Sequence, residues 1–230
     1  MNSHIAAPVL LLALLANALV APAQTRTATP AQTQTSPPTA ARPQAQEPIA
    51  VRGETVYTMA GQPIRDGVVL IRDGKIERVG AANDVQIPAG YRTLAARVVT
   101  PGLIDAHTVV GLSGYLNQPH DQDQLERSAA MQPELRAVDA YNAREQLVVW
   151  LRRHGVTTIH TGHGPGALVS GGTMIAKTIG DTADEAVMVA DAMIAVTLGP
   201  EAYAAGGRAP GTRAKEIALL RQELIRAQEF

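Results

Sequence analysis

The chemistry this chain could carry rests on imidazoles and carboxylates, because its 230 residues include six histidines and no cysteine. Thiolate metal sites and disulfide staples are thereby excluded. Asp105-Ala106-His107 lies within an apolar, β-prone run from Leu103 to Val110. Residues two apart on a strand face the same way, so a metal gripped by His107 would look to position 109 for a second ligand. Position 109 is Val, which brings no donor atom. Two further imidazoles, His160 and His163, bracket Thr161-Gly162 at the end of a second β-prone run. A spacing of three does not put both on one strand face, so they converge on one ion only if the chain turns at Gly162. A catalytic zinc takes three protein ligands and keeps one position open. His107, His160 and His163 are the candidate metal ligands on this reading.

The remaining polar groups read more plainly. Asp105 is expected to hydrogen-bond nearby backbone, and Lys177 to be solvated or salt-bridged. His120, Asp121 and Asp123 form a solvated loop cluster. No Gly-x-Ser-x-Gly elbow, phosphate loop or Cys/His nucleophile pair occurs in the sequence.

The elements that must position these groups divide at Thr100. Residues 49–99 read as a small β-rich domain. Its clearest feature is Val68 to Arg72, then Asp73-Gly74, then Lys75 to Val79. Asp-Gly between two β-prone runs predicts a two-residue hairpin turn with positive φ at both central residues. From Thr100 the pattern changes to strand, polar loop, helix, strand. The helix is expected from Pro133 to His154, with Leu135, Val138, Tyr141, Val148 and Leu151 near one face. Arg152, Arg153 and His154 suit its negative end, and Gly155 stops it. The β-branched run Val156 to Ile159 follows, and strand–helix–strand predicts a parallel pair with a crossover. Thr173 to Ile179 reads as a further strand, Asp184 to Leu198 as helix or strand, and Thr212 to Gln228 as a final amphipathic helix.

Bulk properties set the outer limits. A formal net charge of −1 and 46% hydrophobic residues describe a globular chain. Near-neutrality gives no reason to expect nucleic acid or an anionic membrane as partner. Residues 1–23 read as a signal peptide, with an apolar run from Ile5 to Val20 ahead of Ala21-Pro22-Ala23. Export to a periplasm or the exterior is expected, with no membrane contact beyond that segment. Residues 24–48, rich in Pro, Thr and Gln, have too little apolar surface to offset ordering and read as a disordered linker.

Thr100-Pro101-Gly102-Leu103-Ile104-Asp105-Ala106-His107, entered from a Val98-Val99 run, resembles the first barrel strand of the amidohydrolase superfamily. Gly155-Val156-Thr157-Thr158, Gly171-Gly172-Thr173-Met174-Ile175 and Arg213 to Phe230 are similar to the imidazolonepropionase-like branch. The resemblance implies a metal-dependent hydrolase of carbon–nitrogen bonds in a small-molecule substrate. It implies a zinc-like divalent metal at a His-x-His motif, whose first position is His107 and whose second is occupied here by Val109. The fold class it implies is α/β, a TIM-type barrel with a small composite β-sandwich. Such a barrel takes about 250 residues, so 100–230 is expected to be a truncated N-terminal part, inactive as an isolated chain. Two alternatives stand beside it. One is a non-catalytic relative that binds a ligand or partner. The other is a half-barrel whose open edges drive homo-oligomer formation.

Overall fold

The computed structural model describes residues 47–203 and 209–230. The expected signal peptide, and all but the last two residues of the expected linker, lie outside them. The described residues form one compact unit.

The first four strands are β1 (Ile49–Val56), β2 (Ile64–Arg72), β3 (Lys75–Ala81) and β4 (Arg92–Val99). They form one sheet in the order β3-β2-β1-β4, with β1 antiparallel to β2 and parallel to β4. The β2–β3 hairpin turns as the sequence predicts, with Asp73 at φ 52° and Gly74 at φ 72°. Both values lie in the left-handed region that this turn demands and that Asp and Gly tolerate. The core of this sheet is small: Ala50, Val68, Leu70 and Val85, with Ala82, Ile87 and Tyr91 packed against them.

The second half starts with β5 (Leu103–Thr108), then the short helices α1 (Ala137–Ala140) and α2 (Gln146–Arg153). There follow β6 (Val156–Thr161), β7 (Val169–Gly172), β8 (Met174–Lys177) and the single turn α3 (Ala183–Ala186). The chain continues through β9 (Val187–Val189), β10 (Ile194–Val196) and α4 (Arg213–Glu229). β5, β6, β8 and β9 make a sheet in that order, while β7 and β10 pair separately. β5 and β6 are parallel, the pair expected from the strand–helix–strand pattern. β8 runs antiparallel to β6, and β9 antiparallel to β8. The class is therefore mixed α/β, and in this second sheet one parallel pair is followed by antiparallel strands.

The helix expected from Pro133 to His154 is two separate pieces. The break is local hydrogen bonding that competes with helix. Asn142 Oδ1 accepts the Arg144 N–H at 3.1 Å, and the Asn142 N–H donates to Gly111 O at 2.9 Å. Glu145 then starts α2 afresh, its carboxylate accepting the Leu147 N–H. The segment 184–198, open between helix and strand, holds part of α3 and both β9 and β10. The final helix forms where predicted, capped by Thr212, whose hydroxyl accepts the Lys215 N–H at 3.3 Å.

The main core lies under the second sheet. Ile159, Met174, Ala176 and Val148 are at most 1% exposed and pack with Leu112, Ala137 and Tyr141. Among the described residues no helix is long and apolar enough to cross a membrane.

Candidate functional site

The residues singled out for chemistry converge on the C-terminal ends of β5 and β6, and the reason is main-chain geometry. Gly102 lets β5 start flush against β6: a Cβ there would lie 2.1 Å from Thr157 Oγ1. The register then sets Asp105 beside Ile159 and Thr108 beside Thr161. Beyond the strands, Gly162 N–H donates to Thr108 O at 3.2 Å, which continues the parallel ladder one residue past Thr161.

His107 stands exposed on the edge strand β5. Its backbone N–H donates to Asp105 Oδ1 at 3.2 Å, so that carboxylate has the local backbone role expected of it. Val109 is half-buried, with Cγ1 3.5 Å from where a Gly164 Cβ would stand.

His160 is committed at both ends of its ring. Nδ1 lies 3.0 Å from Ala106 O and Nε2 2.7 Å from Thr173 Oγ1. A carbonyl only accepts, so Nδ1 carries the proton and Nε2 takes the threonine hydroxyl. The imidazole thus ties β5 to the start of β8. His160→Ala is expected to cost only about 0.5–1.5 kcal/mol, since the Thr173 hydroxyl keeps Met193 O and Met193 N–H, each at 3.2 Å, and Ala106 is exposed to water. A thermal melt measures it, and an unchanged midpoint would show that these contacts carry no weight.

His163 is the reverse case. It is 6% exposed, and neither ring nitrogen has a hydrogen-bond partner. Burial pushes its pKa down, opposed in part by the adjoining Asp123 backbone. Gln124 Oε1, in the facing loop, is also buried and unpartnered. Sequence reasoning passed over Gln124, because a glutamine in a polar loop leaves no periodic signal of burial.

The other groups hold structural posts. Lys177 Nζ donates to Thr158 Oγ1 at 2.9 Å. Asp121 accepts the Gln118 N–H at 2.8 Å in a turn that leaves His120 exposed.

Tyr141 was expected on a helix face and instead ends α1, its ring against Gly111. A Cβ on Gly111, which has φ +92°, would lie 2.2 Å from Tyr141 Cε2. The Tyr141 hydroxyl is buried without a partner, and burial pushes its pKa up to about 12. The unfolded phenol ionises near 10. Stability linked to this group is whole below pH 10 and is lost as pH rises from 10 toward 12. That loss is on the order of 2 kcal/mol. Tyr141→Phe is expected to remove this alkaline loss and leave neutral-pH stability equal or slightly higher. Urea midpoints measured from neutral to strongly alkaline pH check both.

These residues do not fit a catalytic zinc. Among the described residues, no group of three His, Asp or Glu side chains lies close enough to hold an ion. Val109 supplies no ligand, and His160 would have to surrender an existing bond to become one.

Comparisons with known proteins place this geometry in context. No family model and no curated protein matches the chain. Among solved structures, an amidohydrolase from Thermotoga maritima superposes with a TM-score of 0.73 at 22% identity, over 79% of this chain and 48% of that one. The N-acetyl-D-glucosamine-6-phosphate deacetylase from Mycobacterium smegmatis matches 49% of this chain and 26% of its own, at 25% identity and a TM-score of 0.31. E. coli guanine deaminase matches 30% of this chain and 19% of its own, at 28% identity and a TM-score of 0.25. The chain spans about half the length of the Thermotoga amidohydrolase, at 48%. What it shares with that protein is the fold.

Proposed function

We propose that this chain is the N-terminal part of an amidohydrolase-type hydrolase acting on carbon–nitrogen bonds other than peptide bonds. The observation that carries the proposal is the fold likeness to the Thermotoga amidohydrolase, reached with the Pro101-to-His107 motif on β5. On this reading residues 49–99 belong to a composite sandwich, and β5 and β6 are the first parallel strands of a barrel. Their C-terminal ends form one wall of the mouth, where barrel enzymes keep their chemistry. This part supplies the scaffold, the exposed imidazole of His107 and the buried one of His163. A zinc-like metal would need ligands from elsewhere, so no catalytic step is assigned to these residues. A small-molecule substrate and export directed by residues 1–23 belong to the same reading.

Val109 favours a second reading: a non-catalytic relative whose mouth binds a ligand. The coding DNA beyond Phe230 separates the two. An open frame running into further strand–helix units with His and Asp at strand ends supports the hydrolase. A stop codon followed by unrelated sequence would leave the binder.

β5 is an edge strand, and its own residues Leu103 and Ile104 are 57% and 71% exposed. An unpaired apolar edge invites pairing with another chain. Homo-oligomer formation by the isolated chain is therefore part of the proposal, visible as a concentration-dependent mass in sedimentation.

A further inference from the structure

One row of the small β7–β10 sheet lacks its middle side chain. Gly172 on β7 pairs with Ile194 on β10, and on its other side it bridges to Arg136, just ahead of α1. Strands lie about 4.8 Å apart and cross-strand partners point to one face. Ile194 and Arg136 thus stand about 10 Å apart with no side chain between them. The gap is a slot of about 510 Å³, a size at which small-molecule sites occur. Nothing in the packing demands a glycine there. Its φ is not positive, and an added Cβ would meet only Asp191 Oδ1 at 3.5 Å and Leu135 O at 3.6 Å, both ordinary contacts. The missing side chain therefore leaves room and relieves no strain.

The lining selects for charge. Ile194 and Met193 are 54% and 64% exposed and make one wall apolar. Arg136 is already neutralised by Asp139 at 3.1 Å. Asp191 and Glu134 line the slot as well, and among the described residues no cation or N–H engages either carboxylate. Leu135 O accepts the Gly172 N–H at 2.7 Å and keeps a second lone pair. We propose that the slot binds a small organic amine in its ammonium form. Its cation sits between Asp191 Oδ1 and Leu135 O, and its apolar body lies against Ile194 and Met193. An anion would meet two carboxylates of its own sign. A bare metal ion would find too few ligands, because among the described residues no three His, Asp or Glu side chains come close enough to hold one. The inference does not rest on the hydrolase reading, since binding here involves neither the ends of β5 and β6 nor a bond to be cut.

The test titrates benzylamine, charged at neutral pH, into the isotope-labelled full chain at low salt and follows the Gly172 and Ile194 backbone amide signals. Benzyl alcohol, which keeps the ring and lacks the charge, is the control. The expected result is a saturable shift of both signals with benzylamine alone. Asp191→Asn is expected to weaken it about threefold to fivefold, the worth of an exposed ion pair. Asp191 is itself exposed, so this variant leaves the core untouched. Gly172→Ala is expected to fold, since its Cβ clears its neighbours, and to bind more weakly because the slot narrows. Equal shifts with the amine and the alcohol would overturn the proposal, as the slot would then hold apolar bodies without regard to charge. So would an Asp191→Asn chain that binds benzylamine as tightly as the parent, whether or not Gly172→Ala folds.

Discussion

Gly171→Ala is expected to cost on the order of 3 kcal/mol or more, the largest loss from adding a single methyl group to this chain. Gly171 has φ +109°, a backbone conformation that an L side chain rarely adopts. Strain is only part of the cost. The added Cβ would lie 2.5 Å from Leu135 O and 2.7 Å from Leu135 Cβ. A main-chain oxygen cannot swing aside as a side-chain tip can. Moving it would also break its bond from the Gly172 N–H, at 2.7 Å. Overpacking of this kind costs about 1–3 kcal/mol beyond the backbone term. Gly90→Ala is the control, since Gly90 has φ +86° with nothing within 4 Å of its would-be Cβ. It should lose only about 1 kcal/mol. Urea midpoints for the two variants separate strain from collision, and equal losses would remove the collision from the account.

Ile159→Ala is the second large effect, expected at about 3–4 kcal/mol. Ile159 is fully buried, lies opposite Asp105 on β5 and Ala176 on β8, and packs in the cluster that includes Val148 and Met174. A cavity there has partners from strands on both sides, so it cannot close by moving one element. Ile159→Val should lose only about 1 kcal/mol, because a single methylene goes. A loss below that level for the alanine variant would mean that β6 is not the centre of this core.

How much of this was legible in the sequence depends on whether the deciding contacts are local. The Asp73-Gly74 turn and the final helix starting near Thr212 are decided locally, and both appear where expected. The β5–β6 parallel pair was readable because a helix separates two β-prone runs. The break between α1 and α2 was not, because Gly111, thirty-one positions before Asn142, takes the Asn142 N–H. Apolar periodicity continues across that break and conceals it. The antiparallel direction of β8 also escaped, since a short apolar run carries no sign of its direction. Past the end of β6, histidine spacing left open whether His160 and His163 converge, and it said nothing of what each would contact. His160 is engaged because Thr173 lies across the sheet from it. His163 is buried beside the Asp123 backbone, a loop neighbour forty positions earlier. Such distinctions belong to tertiary contacts, and histidine spacing alone does not carry them.

Zinc content tests the central claim most directly: in the scaffold proposed to be amidohydrolase-type, the residues at the ends of β5 and β6 do not complete a metal site. The full chain is equilibrated with zinc, dialysed and measured by elemental analysis beside a His107→Ala variant. The account predicts substoichiometric zinc, equal in the two proteins. One tightly held zinc per chain, lost when His107 is replaced, would contradict it and return His107 to the role that its motif implies.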